Sequence, residues 1–447
     1  MPGAPSRPWR PSPERSRVSA FSAAHLATLG LLLLAAPPAR AQATEPEKAP
    51  EPPSVQLSEE GYIFSTADKA FVLKIRGQLQ GDGRFYVADS DRSANNTFLI
   101  RRLRPFLDGT LFGFVDFRLM PDFGVNQPLI QDAYIDLRPV EWLRLRAGRF
   151  KTPFGLELLQ ANTDVPFIER SLTFDLVPIR DAGLQLYGDI AGGRLSYAFA
   201  VVNGDPDGAS IDVNTDDSFD LVARVFAQPF KGDTDSALQG LGLGVAVSRG
   251  LQFGTPSTNT STTVLVPQRS TGQEIIFSFL NNGTTGPTVV ADGEHVRLSP
   301  QGYFYWGPVG LLAEYVLSSQ EVSVGDQRAR LRHHAWQAYA SYVLGGDASF
   351  TGPKPHQPFN PKTGKGGALE ISVRYQGLDM DDDAFPIFAD PTRSVSQARG
   401  FGVATRFAFN RRVSFALNYH HTTYVGGALE GDREAENVVM SRFQVAF

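Results

Sequence analysis

Thirteen cations fall between residues 70 and 151 beside only nine acids, although the chain as a whole has a net charge of −5. Their spacing is regular. In "FVLKIRGQLQGDGRFYV" (71–87), Lys74, Arg76 and Arg84 share the even positions with Gln78, Gln80 and Asp82, while the odd positions are apolar or glycine. Successive strand residues point to opposite faces. An extended chain here would carry one oily face and one cationic face. The same alternation sets Arg102 and Arg104 against Leu99, Leu103 and Leu107, Arg118 against Val115, Phe117 and Leu119, and Arg144 and Arg146 against Leu143, Leu145 and Ala147. Arg138 follows the rule, and Lys151 closes the series. A guanidinium fork suits carboxylate or phosphate, and cations along a narrow aqueous path favour anions. Each arginine also has a structural reading: pairs such as Arg138 with Asp136, or Arg118 with Asp116, can neutralise each other and brace a wall.

The elements that would position these residues are long strands. Sixteen period-2 segments occur: 70–88, 97–111, 113–122, 131–138, 142–150, 182–190, 194–203, 217–229, 240–253, 293–306, 308–321, 333–345, 366–378, 397–409, 411–424 and 437–447. Their connectors alternate between tight joins and long polar loops, apart from a medium turn at 230–239 and a long one at 346–365. Short turns at one end and long loops at the other are the plan of an outer-membrane barrel. An even strand number lets the first and last strands pair antiparallel and leaves no edge. The expected fold is therefore all-β: a 16-stranded antiparallel transmembrane barrel, with the apolar parity toward lipid and the cationic parity toward the lumen. Glycines 77, 81 and 83 on the oily face would ease curvature or a subunit contact. Tyr303, Tyr305, Trp306, Trp336, Tyr339 and Tyr342 lie near strand ends, as interfacial girdle residues do.

The N-terminus agrees. Arg7, Arg10, Arg15 and Arg17 precede an eleven-residue apolar run, Leu26–Ala36, and an Ala-x-Ala site at 39–41. Residues 1–41 read as a secretory signal peptide, too short in its apolar part for a membrane span. Without them Lys+Arg is 37 and Asp+Glu 46, a net charge of −9, which argues against a nucleic-acid partner. Residues 42–60 are rich in Pro and Glu and read as a periplasmic linker, leaving 61–447 as the barrel domain. The chain has no cysteine. His333-His334 and His420-His421 cannot chelate from one strand face, and no Ser/His/Asp order stands out, so no enzyme, metal or cofactor is expected. "DMDDD" (379–383) reads as a solvated acidic loop, with a divalent-cation site as the alternative.

Several blocks then carry a likeness. "FLIRRLRPFLDGTLFGFVDFRLMPDF", "QDAYIDLR", "LRLRAGRFKTPFGLE", "PFIERSL" with Arg180 downstream, and "GALEISVRYQGLDMDDD" resemble the phosphate-selective porin O and P family. The resemblance implies a 16-stranded outer-membrane porin, a homotrimer of separate pores, with a third extracellular loop (151–181 here) folded inward. It implies an arginine ladder guiding phosphate or polyphosphate. The paired arginines of the second strand match Arg101 and Arg102, of which parity favours Arg102 as the inward one. The third-loop arginine matches Arg170. The family's lysines after "FGLE" are not matched, since Leu158, Leu159, Asn162 and Thr163 stand there, and the fifth loop, 254–292, has only Arg269. The expected function is passive diffusion of small anions, with phosphate or polyphosphate as the narrower form. The rival readings are a non-specific porin and a structural or adhesin barrel whose working surface is loops 254–292 and 379–396. Outer-membrane lipid and lipopolysaccharide would surround the barrel.

Overall fold

The computed structural model describes residues 52–58, 60–87, 90, 94–124, 128–204, 214 and 216–447. The segment read as signal peptide and residues 42–51 of the segment read as linker lie outside the described residues. The described residues open with a hairpin, β1 (Ser54–Ser58) and β2 (Gly61–Ser65). The wall follows: β3 (Val72–Tyr86), β4 (Thr97–Leu111), β5 (Val115–Asp122), β6 (Leu129–Val140), β7 (Leu143–Lys151), β8 (Arg180–Ile190), β9 (Leu195–Val202), β10 (Asp220–Ala227) and β11 (Leu241–Phe253). Two short strands, β12 (Gln268–Arg269) and β13 (Ile275–Phe277), belong to the next loop. The wall resumes with β14 (Val290–Trp306), β15 (Val309–Val324) and β16 (Gln327–Leu344). After the small hairpin β17 (Gly346–Asp347) and β18 (Lys354–Pro355) it ends with β19 (Ala368–Asp379), β20 (Val395–Ala408), β21 (Val413–Gly426) and β22 (Glu436–Ala446).

Sixteen of these strands form the wall, and every neighbouring pair is antiparallel. β22 closes on β3, from Val438 opposite Tyr86 to Ala446 opposite Gln78. Closure satisfies the edge backbone groups that lipid cannot. All sixteen segments read from alternation are present, and the starts and ends move by a few residues. Large apolar residues such as Leu79, Leu119, Ile135, Leu145, Leu184 and Phe401 are exposed on the outer face. In water this would be a liability, but in a bilayer it is the solvated surface.

Gly77 has a more specific role than curvature. The C-terminal Phe447 exchanges backbone hydrogen bonds with it, at 2.8 and 3.0 Å. A Cβ on Gly77 would lie 2.6 Å from the Phe447 ring. The missing side chain lets the terminal aromatic lie flat on the first barrel strand. Beyond Phe447 the β3 edge is taken over by β2, with Tyr62 opposite Ile75 and Phe64 opposite Leu73. This corrects the linker reading of 42–60 over its last part. Alternating Val55 and Leu57 pair with Phe64 and Tyr62, a strand pattern hidden beneath Pro- and Glu-rich composition. The aromatic girdle also needs correction. Trp306 and Tyr342 are exposed outward, but Tyr339 is buried and shares a 3.0 Å hydroxyl contact with Tyr305, and Tyr303 stacks with Phe350.

The lumen is partly filled. Loop three (152–179) carries a one-turn helix, Leu156–Leu159, and a 3-10 turn, Leu172–Leu176. Phe154, Leu156, Leu158, Phe167 and Leu172 are almost fully buried. The fifth loop folds inward as well: Val264, Leu265, Ile276 and Phe277 join the same core as Leu176, Val316 and Leu331. Ala384, Phe388 and Ala389 from the loop after β19 pack there too. The loops expected to form an adhesive outer surface therefore place most of their apolar residues inside the barrel mouth, Ile275 and Ile387 excepted, which excludes those side chains from water.

Candidate functional site: a cation-lined eyelet

Loop three is tied to the far wall. Glu314 on β15 accepts the backbone N–H groups of Leu156 (2.6 Å) and Glu157 (3.2 Å). Gln376 accepts Leu172 N–H at 3.1 Å, and Asn418 accepts Ile168 N–H at 2.5 Å. Arg406, paired with Glu370 at 2.6 Å, donates to the carbonyls of Thr163, Asp164 and Val165. Arg374 reaches Glu157 at 3.5 Å and stacks 4.2 Å from the Phe167 ring. These contacts anchor the loop to the far wall; Arg84, Arg101 and Lys151 also hold it from the opposite side, and between those ties cavities remain along β3–β8.

Two cavities, of about 200 and 220 Å³, mark the path and share Arg104, Lys151, Asn162 and Arg180. The one toward the long loops is bordered by Arg101, Arg102, Arg149 and Arg170 in addition to the three shared cations, and by no carboxylate side chain. The one toward the short turns adds Arg76, Arg118 and Arg412, with Asp132 and Asp164 as its acids. Of the eleven residues expected to line the channel, Arg76, Arg102, Arg104, Arg118, Lys151, Arg170 and Arg180 therefore meet here. The other four do not border these cavities. Lys74 pairs with Glu60 at the base, at 2.7 Å. Arg84 pairs with Glu169 of loop three at 2.7 Å. Arg146 pairs with Asp136 at 2.8 Å and lies over Tyr134, and Arg144 lies over Tyr187.

Sequence reasoning favoured Arg102 over Arg101, but both border the eyelet. Arg102 pairs with Gln80 while Ile100 pairs with Gly81, so the register shifts there and Arg101 is the extra residue. A bulge lets two neighbours turn to one face. The signal was present: exposed Phe98 and Ile100 are even, whereas exposed Leu103 is odd, so the apolar parity flips across the arginine pair. Leu99, read as lipid-facing, is on the other parity from its exposed neighbours. Arg412, just before β21, was missed although it lay at the start of the segment read as 411–424 and shares the inward parity of Ser414, Asn418 and His420.

Bracing and lining coexist. Asp108 accepts Arg118 at 2.6 Å and also contacts Arg76. Asp132 binds Arg180 at 2.8 Å with Arg118 at 3.9 Å, and Asp122 binds Arg104 at 2.6 Å. Glu169 is held by Arg101 and Arg84, each at 2.7 Å. Burial alone would raise its carboxyl, but the Arg101, Arg84 and Arg102 charges outweigh burial and hold it well below the usual range. In the outer cavity, Arg102, Lys151 and Arg170 have no carboxylate partner among the described residues. Arg102 donates to Gln80 (2.7 Å). Lys151 donates to the carbonyls of Leu158 (2.6 Å) and Gln160 (2.8 Å). Arg170 donates to the carbonyls of Glu157 and Gln160 and to Asn162. The acidic 379–383 loop forms no metal-binding cluster among the described residues. Instead Asp379 pairs with Arg399 at 2.6 Å, and Asp381 caps a 3-10 turn.

A family model for the phosphate-selective porins O and P matches residues 73–447. The chain belongs to this porin family. Among curated proteins no sequence matches it. The fold has close counterparts among solved structures. The outer-membrane channel DcaP of Acinetobacter baumannii is 12% identical, with TM-score 0.55, over 86% of this chain and 99% of that one. An anion-selective porin from Comamonas acidovorans is also 12% identical, with TM-score 0.51, over 84% of this chain and all of that one. The porin is thus a closed barrel of the bacterial outer membrane, a channel by family and fold, with cation-lined cavities between β3–β8 and loop three.

Proposed function

We propose that the porin passes small anions by passive diffusion, drawn through the eyelet between loop three and the arginine-bearing wall. One observation carries this reading: the outer cavity is bordered by seven cations and by no carboxylate side chain. In a narrow, partly desolvated path fixed charge acts strongly on a passing ion. Cations already paired to Asp108, Asp122 and Asp132 contribute mainly to the wall. Arg102, Lys151 and Arg170 supply the uncompensated charge. The family's description names phosphate, which belongs to the same ligand class. Assembly as a homotrimer accompanies this reading through the family resemblance. A planar-bilayer recording in a salt gradient tests it: the reversal potential of the purified porin is expected to have the sign of an anion-preferring pore, and a cation-preferring value would refute it. A plugged structural barrel would pass almost no current.

A further inference from the structure

On the outer wall, cations gather on one arc. Arg249 on β11 shares the outward parity of exposed Val247 and Leu251. Arg328, Arg330 and Arg332 on β16 share that of exposed Tyr342 and Leu344, and Arg399 on β20 that of exposed Phe401. All five lie toward the long-loop ends of their strands. The same ends of β4–β10 present apolar residues outward instead, among them Phe98, Ile100, Ile130, Leu184 and Leu221. Carboxylates accompany the arginines but lie beneath them. Arg249 and Arg330 share Glu294, at 2.6 and 2.9 Å, Arg330 also holds Glu321, and Arg328 holds Asp292. The Arg249 and Arg328 side chains are 72% and 73% exposed, against 21% for Glu294 and 19% for Asp292. The acids therefore brace the arc while the guanidinium groups protrude from it. The side chain of exposed Arg332 has no carboxylate partner among the described residues. Through Val296 and Ser319, Arg332 is level with Arg249, three strand spacings or about 14 Å away.

We propose that this arc is a docking surface for the phosphorylated disaccharide headgroup of lipopolysaccharide. Strand parity aims these arginines at the membrane, where a cation is tolerated only near the headgroups. The long-loop side of a barrel is the extracellular one, so the facing leaflet is the one that carries lipopolysaccharide. Guanidinium forks take phosphate bidentately. Phosphates at the two ends of a disaccharide match a cationic row of this width. Leu251 and Phe253, exposed among the arginines, would meet the first carbons of the acyl chains.

The test is binding of diphosphoryl lipid A to the full-length porin folded in detergent, read by native mass spectrometry. Dephosphorylated lipid A and phosphatidylglycerol are the comparison lipids. Diphosphoryl lipid A is expected to bind about tenfold more tightly than either, the sum of several modest exposed charge contacts. Combining Arg249→Gln, Arg328→Gln and Arg332→Gln is expected to weaken its binding about tenfold. The same variant should leave binding of the dephosphorylated lipid and the reversal potential of the pore unchanged. Arg332→Gln alone breaks no ion pair, so it serves if the triple variant fails to fold, and a loss of about twofold is expected. Equal binding of diphosphoryl and dephosphorylated lipid A, equal binding of phosphatidylglycerol, or unchanged affinity in the variants would overturn the proposal. The pore's ion preference is read separately, so either reading can fail without the other.

Discussion

Reversing the charge at Arg102 separates an anion filter from a braced wall. Arg102 is buried beside the eyelet and is paired with Gln80 rather than a carboxylate. An anion passing about 6 Å away interacts with it by roughly 0.7 kcal/mol at the dielectric of water and about 3 kcal/mol at an effective dielectric of 20. The eyelet is wet on one side and protein on the other, so about 1 kcal/mol per unit charge is a conservative value. Arg102→Glu changes the local charge by two units, about 2 kcal/mol against an anion and about 2 kcal/mol in favour of a cation, so the anion-to-cation permeability ratio falls by about 4 kcal/mol, or roughly 700-fold at about 1.4 kcal/mol per tenfold. Neighbouring Arg101 and Arg104 compensate part of the new charge, so the measured change should lie below that figure. Arg102→Gln should show about half of the effect on the logarithmic scale. The assay is the reversal potential across a tenfold gradient of KCl, kept near 0.1 M because screening at about 1 M cuts the Debye length to about 3 Å. Arg330→Glu is the control: Arg330 pairs with Glu294 and Glu321 outside the eyelet, and no change is expected. If Arg102→Glu and Lys151→Glu both leave the reversal potential unmoved while the channel still opens, the eyelet does not filter by charge.

Loosening loop three should widen the path. Arg374→Ala removes the partner at 3.5 Å from Glu157, and single-channel conductance is expected to rise with added current noise while the heat-modifiable gel shift of the folded barrel persists. Gly77→Val should weaken barrel closure, because its Cβ would meet the Phe447 ring. A cost of about 1–3 kcal/mol, as for overpacking, should appear as a lower unfolding temperature. Asp164 on loop three gives a pH dependence. Burial raises its carboxyl, against the opposing Thr163 hydrogen bond and Arg406 charge. It is therefore neutral in acid and gains its negative charge only as pH climbs past the ordinary aspartate range near about 4. Anion preference should be highest at low pH and fall as Asp164 ionises, and Asp164→Asn should flatten that profile.

The wall was legible because lipid outside and water inside impose opposite demands on alternate residues, and sixteen strands obey this closely enough to be counted. Legibility failed where that constraint lapses. At Arg101 a bulge inserts one residue, so strict parity found Arg102 and omitted its neighbour, although both border the eyelet. In the fifth loop, "VLV" at 264–266 and "IIFSF" at 275–279 are apolar without being lipid-facing. They find their burial in contacts with β15, β16 and loop three that no local pattern announces. The polar anchors of loop three, Glu314, Arg374, Gln376, Arg406 and Asn418, lie between 157 and 250 residues from the residues they hold. Strand alternation gives their inward direction but not their partner. The cation cluster survived this because it lies on consecutive strands, where sequence neighbours are wall neighbours.

The two sides of the lumen have different tasks, and this has an evolutionary consequence. Strands β14–β21 carry most of the residues that hold loop three, while β3–β8 carry most of the charges that meet the solute. A substitution on the filtering side that spares Arg84, Arg101 and Lys151, which themselves tie loop three, can alter which molecule is favoured with little loosening of the loop that sets the aperture. Diversification of cargo in such a barrel can therefore proceed by single surface changes on one half of the bore, with the other half serving as a fixed jig.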